Sequence, residues 1–482
     1  MRIIFTSDVH GHAEKLLQCA ASFAKDKNTL IIDGGDTIQG SPLASYIHTH
    51  VSSAPIAETL NLAGFDFVTL GNHDFNFGPD YLRAYLYGLN ATCVCANVTG
   101  DLPLVPWVIH TMPDGTKIGI TGIVTDYVNV WEKPENLQGI TISPPFEAAQ
   151  HALQQMKNQV DLSICIYHGG FECDITTDEV LTHSTENIGS KICRELDFDI
   201  LLTGHQHMPL EGAVLHGTYI VQPGAYAQHF VEITWEGLGQ ISSKFVAADT
   251  KPPQNAHHLT AIKADVDAWL DTPIGTLPQP LLPDDPAQMA LHGNSIATLY
   301  NHVQLQATGA QISCVGLPNN IPGFKQCVTM RDIVQNYPFS NNLITLEITV
   351  DKLKMALERT ASYLSISENG VPQVSRAFLY PKVEHYNYDF FQGLTYTADL
   401  TKPIGQRVSD IIIGGAPADN NKTYTICMSN YRATGTGGYE VYTTCPILEY
   451  GHQEVSELIC SYISQTGDIY VENKEVPNWT YT

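Results

Sequence analysis

Asp, Asn and His side chains recur in short clusters in the first 210 residues, and each cluster directly follows an apolar run. The clusters are Asp8-Val9-His10, Asp33-Gly34-Gly35-Asp36, Asn72-His73-Asp74, His168-Gly169-Gly170 and His205-Gln206-His207. D-x-H and H-x-H each place two side chains on the same side of an extended segment, so both can reach one ion. Such a set suits a pair of divalent ions bridged by a carboxylate. Because it is rich in histidine and lacks thiolate, it favours manganese, zinc or iron over calcium.

The apolar runs before these clusters are predicted to be strands. From Arg2 to about Asp249, β-type runs alternate with helical stretches, a pattern typical of a sheet with helices on its faces. Open sheets of this class bind ligands at the carboxyl ends of their strands. The five clusters are therefore expected to meet at one edge of the predicted sheet.

The length of 482 residues suggests two or three domains. A shift in composition at Lys251-Pro252-Pro253-Gln254-Asn255 precedes a predicted helix that runs to Leu270. We therefore predict an N-terminal domain over 1–250, a linker helix over 251–272 that can act as a hinge, and a C-terminal domain over 273–482. The second half contains an amphipathic helix with Leu353, Leu357 and Leu364 on one face.

Charge, hydropathy and cysteine usage exclude several classes of partner. The 50 acidic and 25 basic residues give a net charge of -25, which argues against binding a long nucleic acid through its phosphates. No run of about 18 apolar residues is present, so a membrane-spanning helix is not expected. The 11 cysteines are scattered in apolar runs, as expected of buried thiols in a reducing compartment. The C-x-C pair Cys93 and Cys95 is predicted to lie on a strand and not to bind zinc.

In this order, the motifs D-x-H, G-D-x-x-x-G, G-N-H-D, H-G-G and G-H-x-H resemble those of the calcineurin-type metallophosphoesterases. The resemblance implies a four-layer αββα sandwich. It implies that one ion is held by Asp8, His10 and His207. It implies that a second ion is held by Asn72, His168 and His205, with Asp36 bridging both. Asp33 is expected to be structural.

Three residues of the third cluster carry expected catalytic roles. His73 is not counted as a ligand, and it is expected to donate a proton or hydrogen bond to the phosphate oxygens or to the leaving alkoxide. The nucleophile would be a water made hydroxide-like by the two ions. Asp74 is expected either to orient His73 or to cap the loop. Asn76 stands where the 5'-nucleotidase branch usually has an aspartate, and the cyclic-phosphodiesterase branch shares this asparagine.

The second half resembles the C-terminal domain of bacterial 5'-nucleotidases, and within them the 2',3'-cyclic-nucleotide 2'-phosphodiesterase/3'-nucleotidase branch. The stretches that carry this resemblance are 332–343, 357–359, 386–389, 393–396 and 429–433. The resemblance implies a smaller α+β domain in which two aromatic rings, here Tyr386 and Tyr431, sandwich the nucleobase. The alternative is that both are core or turn tyrosines. Further expected substrate contacts are Asn430, Arg432, Arg359, Gly435 and Gly437, the glycines either admitting the ribose or forming a turn.

A phosphate clamp of the 5'-nucleotidases, Gly-Gly-Ile-Arg, is replaced here by Gly316-Leu317-Pro318-Asn319-Asn320. Arg359 and Arg432 either replace the missing guanidinium or form ordinary ion pairs. This departure and Asn76 favour a cyclic diester, so the expected activity is 2',3'-cyclic-nucleotide 2'-phosphodiesterase with 3'-nucleotidase activity. The alternatives are a 5'-nucleotidase or sugar-nucleotide hydrolase on the same scaffold, and a nucleotide-binding module without turnover.

Members of this family are usually exported behind a signal peptide. Here the predicted first strand follows Met1 at once, so no signal peptide is recognised and a cytoplasmic location is expected. The expected role is intracellular turnover of nucleotides, for example the 2',3'-cyclic ends left by RNA cleavage. The sequence does not indicate an oligomeric state.

Overall fold

The structure is a computed structural model that describes residues 1–181, 184–237, 239–249, 251, 256–339, 341–465 and 476–481. The chain divides into two compact units, Met1–Asp267 and Ala268–Thr482. The division falls within the helix His257–Leu270, part of the predicted linker. The predicted linker residues 252–255 lie outside the described residues, and a hinge role for this helix stays a prediction.

The first unit alternates strands and helices. Its strands are β1 Arg2–Thr6, β2 Thr29–Asp33, β3 Phe67–Val68, β4 Thr92–Val94, β5 Val98–Gly100, β6 Leu104–Val105, β7 Trp107–Thr111, β8 Lys117–Val124, β9 Ile140–Ile142, β10 Leu162–His168, β11 Ile200–Thr203, β12 Leu210–Leu215, β13 Thr218–Gln222, β14 His229–Trp235 and β15 Ile241–Ala247. Its helices are α1 Ala13–Ala20, α2 Pro42–His50, α3 Ala54–Ala63, α4 Gly78–Gly88, α5 Val128–Trp131, α6 Pro145–Met156, α7 Gly189–Glu195 and α8 His257–Leu270. Two 3₁₀ helices cover Asn72–Phe75 and Pro134–Leu137.

Two large sheets form the centre of this unit. One has the order β15-β14-β1-β2-β3-β4-β6, and the other has the order β12-β13-β11-β10-β8-β7. In the first sheet β1, β2, β3, β4 and β6 run parallel, and in the second β13, β11, β10 and β8 run parallel. Strands β2, β10 and β11 are buried along their whole length, which explains why they read as continuous apolar runs.

The apolar core between the sheets contains side chains from both of them. Among these are Ile3 and Phe5 of β1, Ile118 and Ile120 of β8, and Ile164 and Ile166 of β10. Because side chains alternate along a strand, Ile4 faces the other way. There it packs in a second core with residues of α1, α3 and α4, whereas Cys165 of β10 packs in a third core with residues of α6 and α7. The predicted αββα layering is confirmed.

The second unit is a smaller α+β assembly. Its strands are β16 Pro273–Thr276, β17 Ile312–Gly316, β18 Cys327–Thr329, β19 Asn342–Thr349, β20 Leu364–Ile366, β21 Pro372–Val374, β22 Asp389–Gln392, β23 Leu394–Asp399, β24 Val408–Ile413, β25 Ala416–Pro417, β26 Thr423–Ser429, β27 Ile447–Glu454 and β28 Asn478–Thr480. Its helices are α9 Pro286–His292, α10 Ser295–Thr308, α11 Met330–Asn336, α12 Val350–Ala361, α13 Asn430–Ala433 and α14 Val455–Gln465. Three 3₁₀ helices cover Arg376–Phe378, His385–Asn387 and Glu440–Thr444. The larger sheets have the orders β22-β17-β26-β19-β27 and β25-β24-β23-β28.

The amphipathic helix predicted in this unit is shorter than expected. Leu353 and Leu357 of α12 pack into the core beside the five-stranded sheet. Leu364 does not share their helix face, because α12 ends at Ala361 and Leu364 begins β20 in a separate core. The Ser362 hydroxyl donates to the carbonyl oxygen of Arg359 at 2.6 Å, a local bond that competes with continuation of the helix.

The cysteines are all free thiols, and most of them are buried. Burial raises the pKa of the Cys93 thiol well above its usual range and that of Cys95 to about 12. A metal-binding thiolate is therefore disfavoured at this pair. Within the described part of the chain, no helix is both long and apolar enough to cross a membrane.

Candidate metal centre

The predicted ligands lie at the carboxyl ends of strands from both large sheets. Asp8 follows β1, Asp36 follows β2, and Asn72 begins the 3₁₀ helix after β3. His168 is the last residue of β10, and His205 follows β11. The parallel direction of these strands puts their ends at one edge of the sandwich, as the sequence predicts.

The backbone at this edge is strained. A positive φ is found at five of the seven predicted ligands: Asp8, His10, Asp36, His205 and His207. A non-glycine residue in the left-handed region costs about 1–3 kcal/mol, and such residues cluster at functional sites. The fold therefore holds these side chains in positions that the backbone alone would not favour.

Asp8, His10 and His207 form the first group that could hold a metal ion. The Nε2 atoms of His10 and His207 are 3.0 Å apart, and Asp8 Oδ1 lies 3.4 Å from His207 Nε2 and 4.0 Å from His10 Nε2. His10 Nδ1 faces the carbonyl oxygen of Gln39 at 3.1 Å. Because a carbonyl only accepts, Nδ1 carries the proton and Nε2 presents a lone pair. Burial lowers the pKa of His10 to about 3, which also keeps this ring neutral.

Asp8, Asp36 and His168 form the second group. His168 Nδ1 faces the carbonyl oxygen of Gly34 at 2.6 Å, so this ring too directs Nε2 inwards. His168 Nε2 lies 3.2 Å from Asp36 Oδ2 and 3.9 Å from Asp8 Oδ1. This Nε2 atom is buried, and its geometry gives it no hydrogen-bond partner. A cation between these atoms would satisfy all of them.

The electrostatics of the two groups also favour cations. Burial raises the pKa of Asp36, but the facing imidazole rings outweigh this effect and hold the pKa well below its usual range. Burial lowers the pKa of His168, but the carboxylates of Asp36 and Asp8 outweigh burial and raise it to about 10. The field that favours a positive ring at His168 equally favours a metal ion. The residues therefore fit a divalent-metal centre.

Asn72 and His205 form a third contact beside these groups. His205 Nδ1 lies 2.8 Å from Asn72 Oδ1, and His205 Nε2 lies 3.0 Å from Glu186 Oε1. A carboxylate accepts only, so Nε2 carries the proton and Nδ1 is the nitrogen that presents a lone pair beside Asn72 Oδ1. The ring of Trp131 stacks on His205 at 5.6 Å and 21°. Glu186 and Trp131 are absent from the sequence prediction, because neither lies at the end of a strand with a ligand motif.

His73 and Asp74 are neighbours with different surroundings. His73 Nδ1 lies 2.8 Å from Asn76 Oδ1, and its main-chain N–H donates to Asp36 Oδ1 at 2.7 Å. Asp74 accepts hydrogen bonds from four main-chain N–H groups, those of Asp36, Thr37, Ile38 and Gly71. From the sequence, Asp74 is expected either to orient His73 or to cap the loop, and these contacts are those of a loop cap. Asp74 thereby positions the backbone that carries Asp36.

The contacts of Asp33 are those of a structural residue. It accepts hydrogen bonds from the hydroxyls of Thr6 and Thr37, both at 2.6 Å, and from the main-chain N–H of Gly35 at 3.1 Å. Burial raises its pKa to about 7. These bonds fix the turn that brings Asp36 to the site.

The predicted substrate residues of the second unit surround a buried guanidinium. Arg432 donates to Asp389 Oδ1 at 3.0 Å, to Asn387 Oδ1 at 3.3 Å and to the carbonyl oxygen of Tyr386 at 2.9 Å. Burial lowers the pKa of Arg432, but the charge of Asp389 outweighs it and raises the pKa above its usual range. This geometry favours a structural role for Arg432, one that joins the segments carrying Tyr386 and Tyr431.

The other predicted contacts lie close to this guanidinium. Arg359 donates to the carbonyl oxygen of Gly437 at 2.7 Å and lies over the ring of Phe378 at 4.1 Å. A Cβ at Gly437 would collide with Asn387 and with the Arg432 guanidinium, so this turn requires glycine. Asn430 Oδ1 accepts from the main-chain N–H of Asn342 at 3.1 Å. Tyr386 and Tyr431 are only half-buried, unlike the core tyrosines of this unit.

Comparisons with known proteins match the N-terminal and C-terminal parts of the chain to two families. Residues 1–209 match the calcineurin-like phosphoesterase family, and residues 273–444 match the 5'-nucleotidase C-terminal domain. A crystal structure of a candidate 5'-nucleotidase from Staphylococcus aureus is 32% identical, with 99% of this chain and 100% of that chain covered and a TM-score of 0.90. This chain belongs to the 5'-nucleotidase family of calcineurin-like phosphoesterases. The family resemblance predicted from the sequence is confirmed.

Curated relatives of this 5'-nucleotidase family member carry nucleotide phosphoesterase names. The trifunctional nucleotide phosphoesterase protein YfkN of Bacillus subtilis is 24% identical over 95% of this chain, which spans 36% of YfkN. The 2',3'-cyclic-nucleotide 2'-phosphodiesterase/3'-nucleotidase of Yersinia enterocolitica is 24% identical over 91% of this chain and 78% of its own length. The prediction of a phosphoesterase is confirmed at the level of the family, whose calcineurin-like members use divalent metals.

Removal of divalent cations from this 5'-nucleotidase family member is expected to lower its midpoint of thermal unfolding. Without an ion, two carboxylates stay buried close together beside Nε2 of His168, which makes no hydrogen bond. Manganese at about 100 times its Kd should restore about 2.7 kcal/mol of unfolding free energy. Calorimetry with chelator and then with manganese measures the effect.

Two variants control this experiment. Asp36→Asn removes the carboxylate expected to bridge the ions and should abolish most of the response to manganese. Glu135→Gln changes the same charge at an exposed position of the first unit and should keep the full response. An equal midpoint with chelator and with manganese in the unmodified protein would contradict a metal centre at this edge.

Proposed function

We propose that this chain hydrolyses nucleotide phosphoesters with the help of two divalent cations, and that its main substrates are 2',3'-cyclic nucleotides and then the 3'-nucleotides formed from them. The observation that carries the proposal is the convergence of Asp8, Asp36 and inward-facing histidine nitrogens beside the non-ligand His73. The Yersinia relative, whose name combines these two activities, supports the choice of substrate.

The proposed ligand assignment uses all seven residues. Asp8, His10 and His207 would hold one ion, and Asn72, His168 and His205 would hold the other. Asp36 would contribute to both, since it lies 3.2 Å from His168 Nε2 and 3.8 Å from His10 Nε2. The set of imidazole, carboxylate and amide ligands suits manganese, zinc or iron.

The reaction that these residues support is attack of water on the phosphorus atom with cleavage of the bond between phosphorus and O2'. The cations, when bound, supply Lewis-acid charge and lower the pKa of water near the site. His73 gives the proton on its Nε2 to the departing O2', and the proton released by the attacking water then restores it, so the products are a neutral ribose hydroxyl and a 3'-phosphate. The hydrogen bond to Asn76 fixes the orientation of the His73 ring for this transfer.

The second unit, proposed to bind the nucleotide over residues 273–482, supplies the base contacts. The half-buried rings of Tyr386 and Tyr431 are proposed to stack on the base, and Arg432 fixes the segments that carry them. Both Arg359 and Arg432 already donate to main-chain carbonyls of their own unit. These contacts favour the singly charged cyclic diester as the first substrate over the 3'- and 5'-nucleotides, because a phosphomonoester dianion needs a stronger cationic partner.

A 5'-nucleotidase or sugar-nucleotide hydrolase is the second candidate. The likeness to the Staphylococcus candidate 5'-nucleotidase favours it, since that protein matches this chain along its whole length. Both candidates use the same metal centre, and they differ in the substrate contacts expected of the second unit.

A substrate panel separates the two candidates. Protein stripped of metal and reloaded with manganese should hydrolyse 2',3'-cyclic AMP with a higher kcat/KM than 5'-AMP, with 3'-AMP as its second nucleotide substrate. The reason is that Arg359 and Arg432 are engaged within their own unit. Initial rates measured by phosphate release and chromatography give the order. A higher kcat/KM for 5'-AMP would contradict the cyclic-diester proposal and support the second candidate.

His73→Ala should keep both metal ions and lose about 100- to 1,000-fold in kcat on 2',3'-cyclic AMP, the cost of removing one donor to the transition state. Metal content by mass spectrometry and steady-state kinetics test this result. His151→Ala, at an exposed position of α6, is the matched control and should keep the wild-type rate. Wild-type turnover by His73→Ala would exclude His73 from the reaction.

Tyr431→Ala should weaken the binding of 3'-AMP about 5- to 150-fold, because stacking contributes about 1–3 kcal/mol per base. Tyr431→Phe keeps the ring and should bind as the wild type does, and titration calorimetry compares the three proteins. The rate on bis(p-nitrophenyl) phosphate, which has no base, should not change. Equal affinity in Tyr431→Ala would mean that this tyrosine does not stack on the base.

A further inference from the structure

A carboxylate lies behind the residue that holds the catalytic histidine. Asn76 Oδ1 is 2.8 Å from His73 Nδ1, and Asn76 Nδ2 donates to Glu132 Oε2 at 2.6 Å. Glu132 is 56 positions from Asn76 in the sequence, in the loop between α5 and the 3₁₀ helix Pro134–Leu137. The three side chains form a continuous row of hydrogen bonds.

The chemistry of Glu132 fixes the direction of every bond in this row. An ionised carboxylate only accepts hydrogen bonds, so the NH₂ group of Asn76 must face it. The carbonyl oxygen of Asn76 therefore faces His73 and, because it also only accepts, requires the proton on His73 Nδ1. Nε2 is then the nitrogen that exchanges a proton with the substrate. A negative charge at the far end polarises the amide and strengthens its acceptor oxygen.

Glu132 is itself held in place. Its Oε1 accepts from the main-chain N–H of Lys133 at 2.8 Å and from Asn136 Nδ2 at 2.9 Å. Asn136 Nδ2 also lies 2.9 Å from the main-chain carbonyl oxygen of Asn76. The Asn136 amide therefore binds both Glu132 and Asn76. The preceding residue, Trp131, stacks on His205. One loop thus contacts both the histidine row and a predicted metal ligand.

We propose that Glu132 is a positioning residue for the reaction, which orients the Asn76 amide and thereby holds a proton on His73 Nδ1, so that Nε2 is the nitrogen that gives its proton to the departing O2'. This inference rests on the proposed function for its kinetic part. Glu132 does not touch the substrate. Its effect on the His73 ring passes through the side chain of Asn76, so it depends on the pairing of one carboxylate with one amide.

The test exchanges these two groups. In Glu132→Gln the new amide can donate to Asn76 Oδ1, which turns the NH₂ group of Asn76 towards His73. Nδ1 then loses the acceptor for its proton, and the ring that gives up the Nε2 proton is no longer stabilised. We expect a fall of about 10- to 100-fold in kcat on 2',3'-cyclic AMP, with unchanged KM and metal content. In the double variant Asn76→Asp/Glu132→Gln the acceptor at His73 is restored, so kcat should recover most of the loss. Asn76→Asp alone places two carboxylates in contact, so its kcat should stay below that of the double variant.

A second substrate distinguishes this role from a structural one. Nitrophenolate leaves without a proton, so Glu132→Gln should hydrolyse bis(p-nitrophenyl) phosphate at nearly the wild-type rate. Glu135→Gln, an exposed neighbour, is the matched control for loss of charge. An equal loss on both substrates, or no loss on cyclic AMP, would overturn the proposal.

Nitrogen NMR of ¹⁵N-histidine protein gives a readout that does not depend on turnover. The signals of the neutral His73 ring, identified by their loss in His73→Ala, should show a protonated Nδ1 in the wild type and a protonated Nε2 in Glu132→Gln. An unchanged ring in Glu132→Gln would refute the orientation by Glu132, whatever the substrate. Failure of the wild type to hydrolyse any nucleotide would refute the proposed function instead, and the NMR result would still decide the role of Glu132.

Discussion

Two buried carboxylates and the ring nitrogens that face them impose the main constraint on the first unit. Asp8 and Asp36 lie close to the same inward-facing atom, Nε2 of His168, and that atom has no hydrogen bond. Main-chain carbonyls hold the outer nitrogens of His168 and His10, so neither ring can turn away. Such an arrangement is costly without positive charge, because buried groups of this kind need a partner. Divalent cations meet this need, and the same cations supply the chemistry.

The sandwich makes this concentration of charge possible. Strands of two separate sheets end at one edge, and the apolar core between the sheets anchors β1, β2, β10 and β11 behind the site. Short polar networks then fix the loops that leave those strands. Asp74 binds four main-chain N–H groups of the loops around Asp36, and Asp33 binds the turn before it. The strained backbone of the ligands is maintained by this surrounding structure.

Local sequence patterns predict much of this arrangement. Apolar runs followed by ligand-type residues identify the strand ends, because parallel strands are buried on both faces and their carboxyl ends share one edge. Periodicity is less reliable at the ends of elements. It joined Leu364 to the helix of Leu353 and Leu357, since a short apolar run fits a helix face as well as a buried strand. The chain ends that helix at Ala361 instead.

The sequence by itself determined the family, the layered fold and the residue types at the metal centre, because these depend on patterns within a few residues of one another. Only the tertiary structure decided what stands behind those residues. Glu132 meets Asn76 across 56 positions, and Glu186 meets His205 across 19. Neither glutamate belongs to a motif, and either could have been an exposed charge. Their roles arise from packing between distant loops, which brings an acceptor to one particular N–H group. The spacing of residues along the sequence does not reveal such contacts.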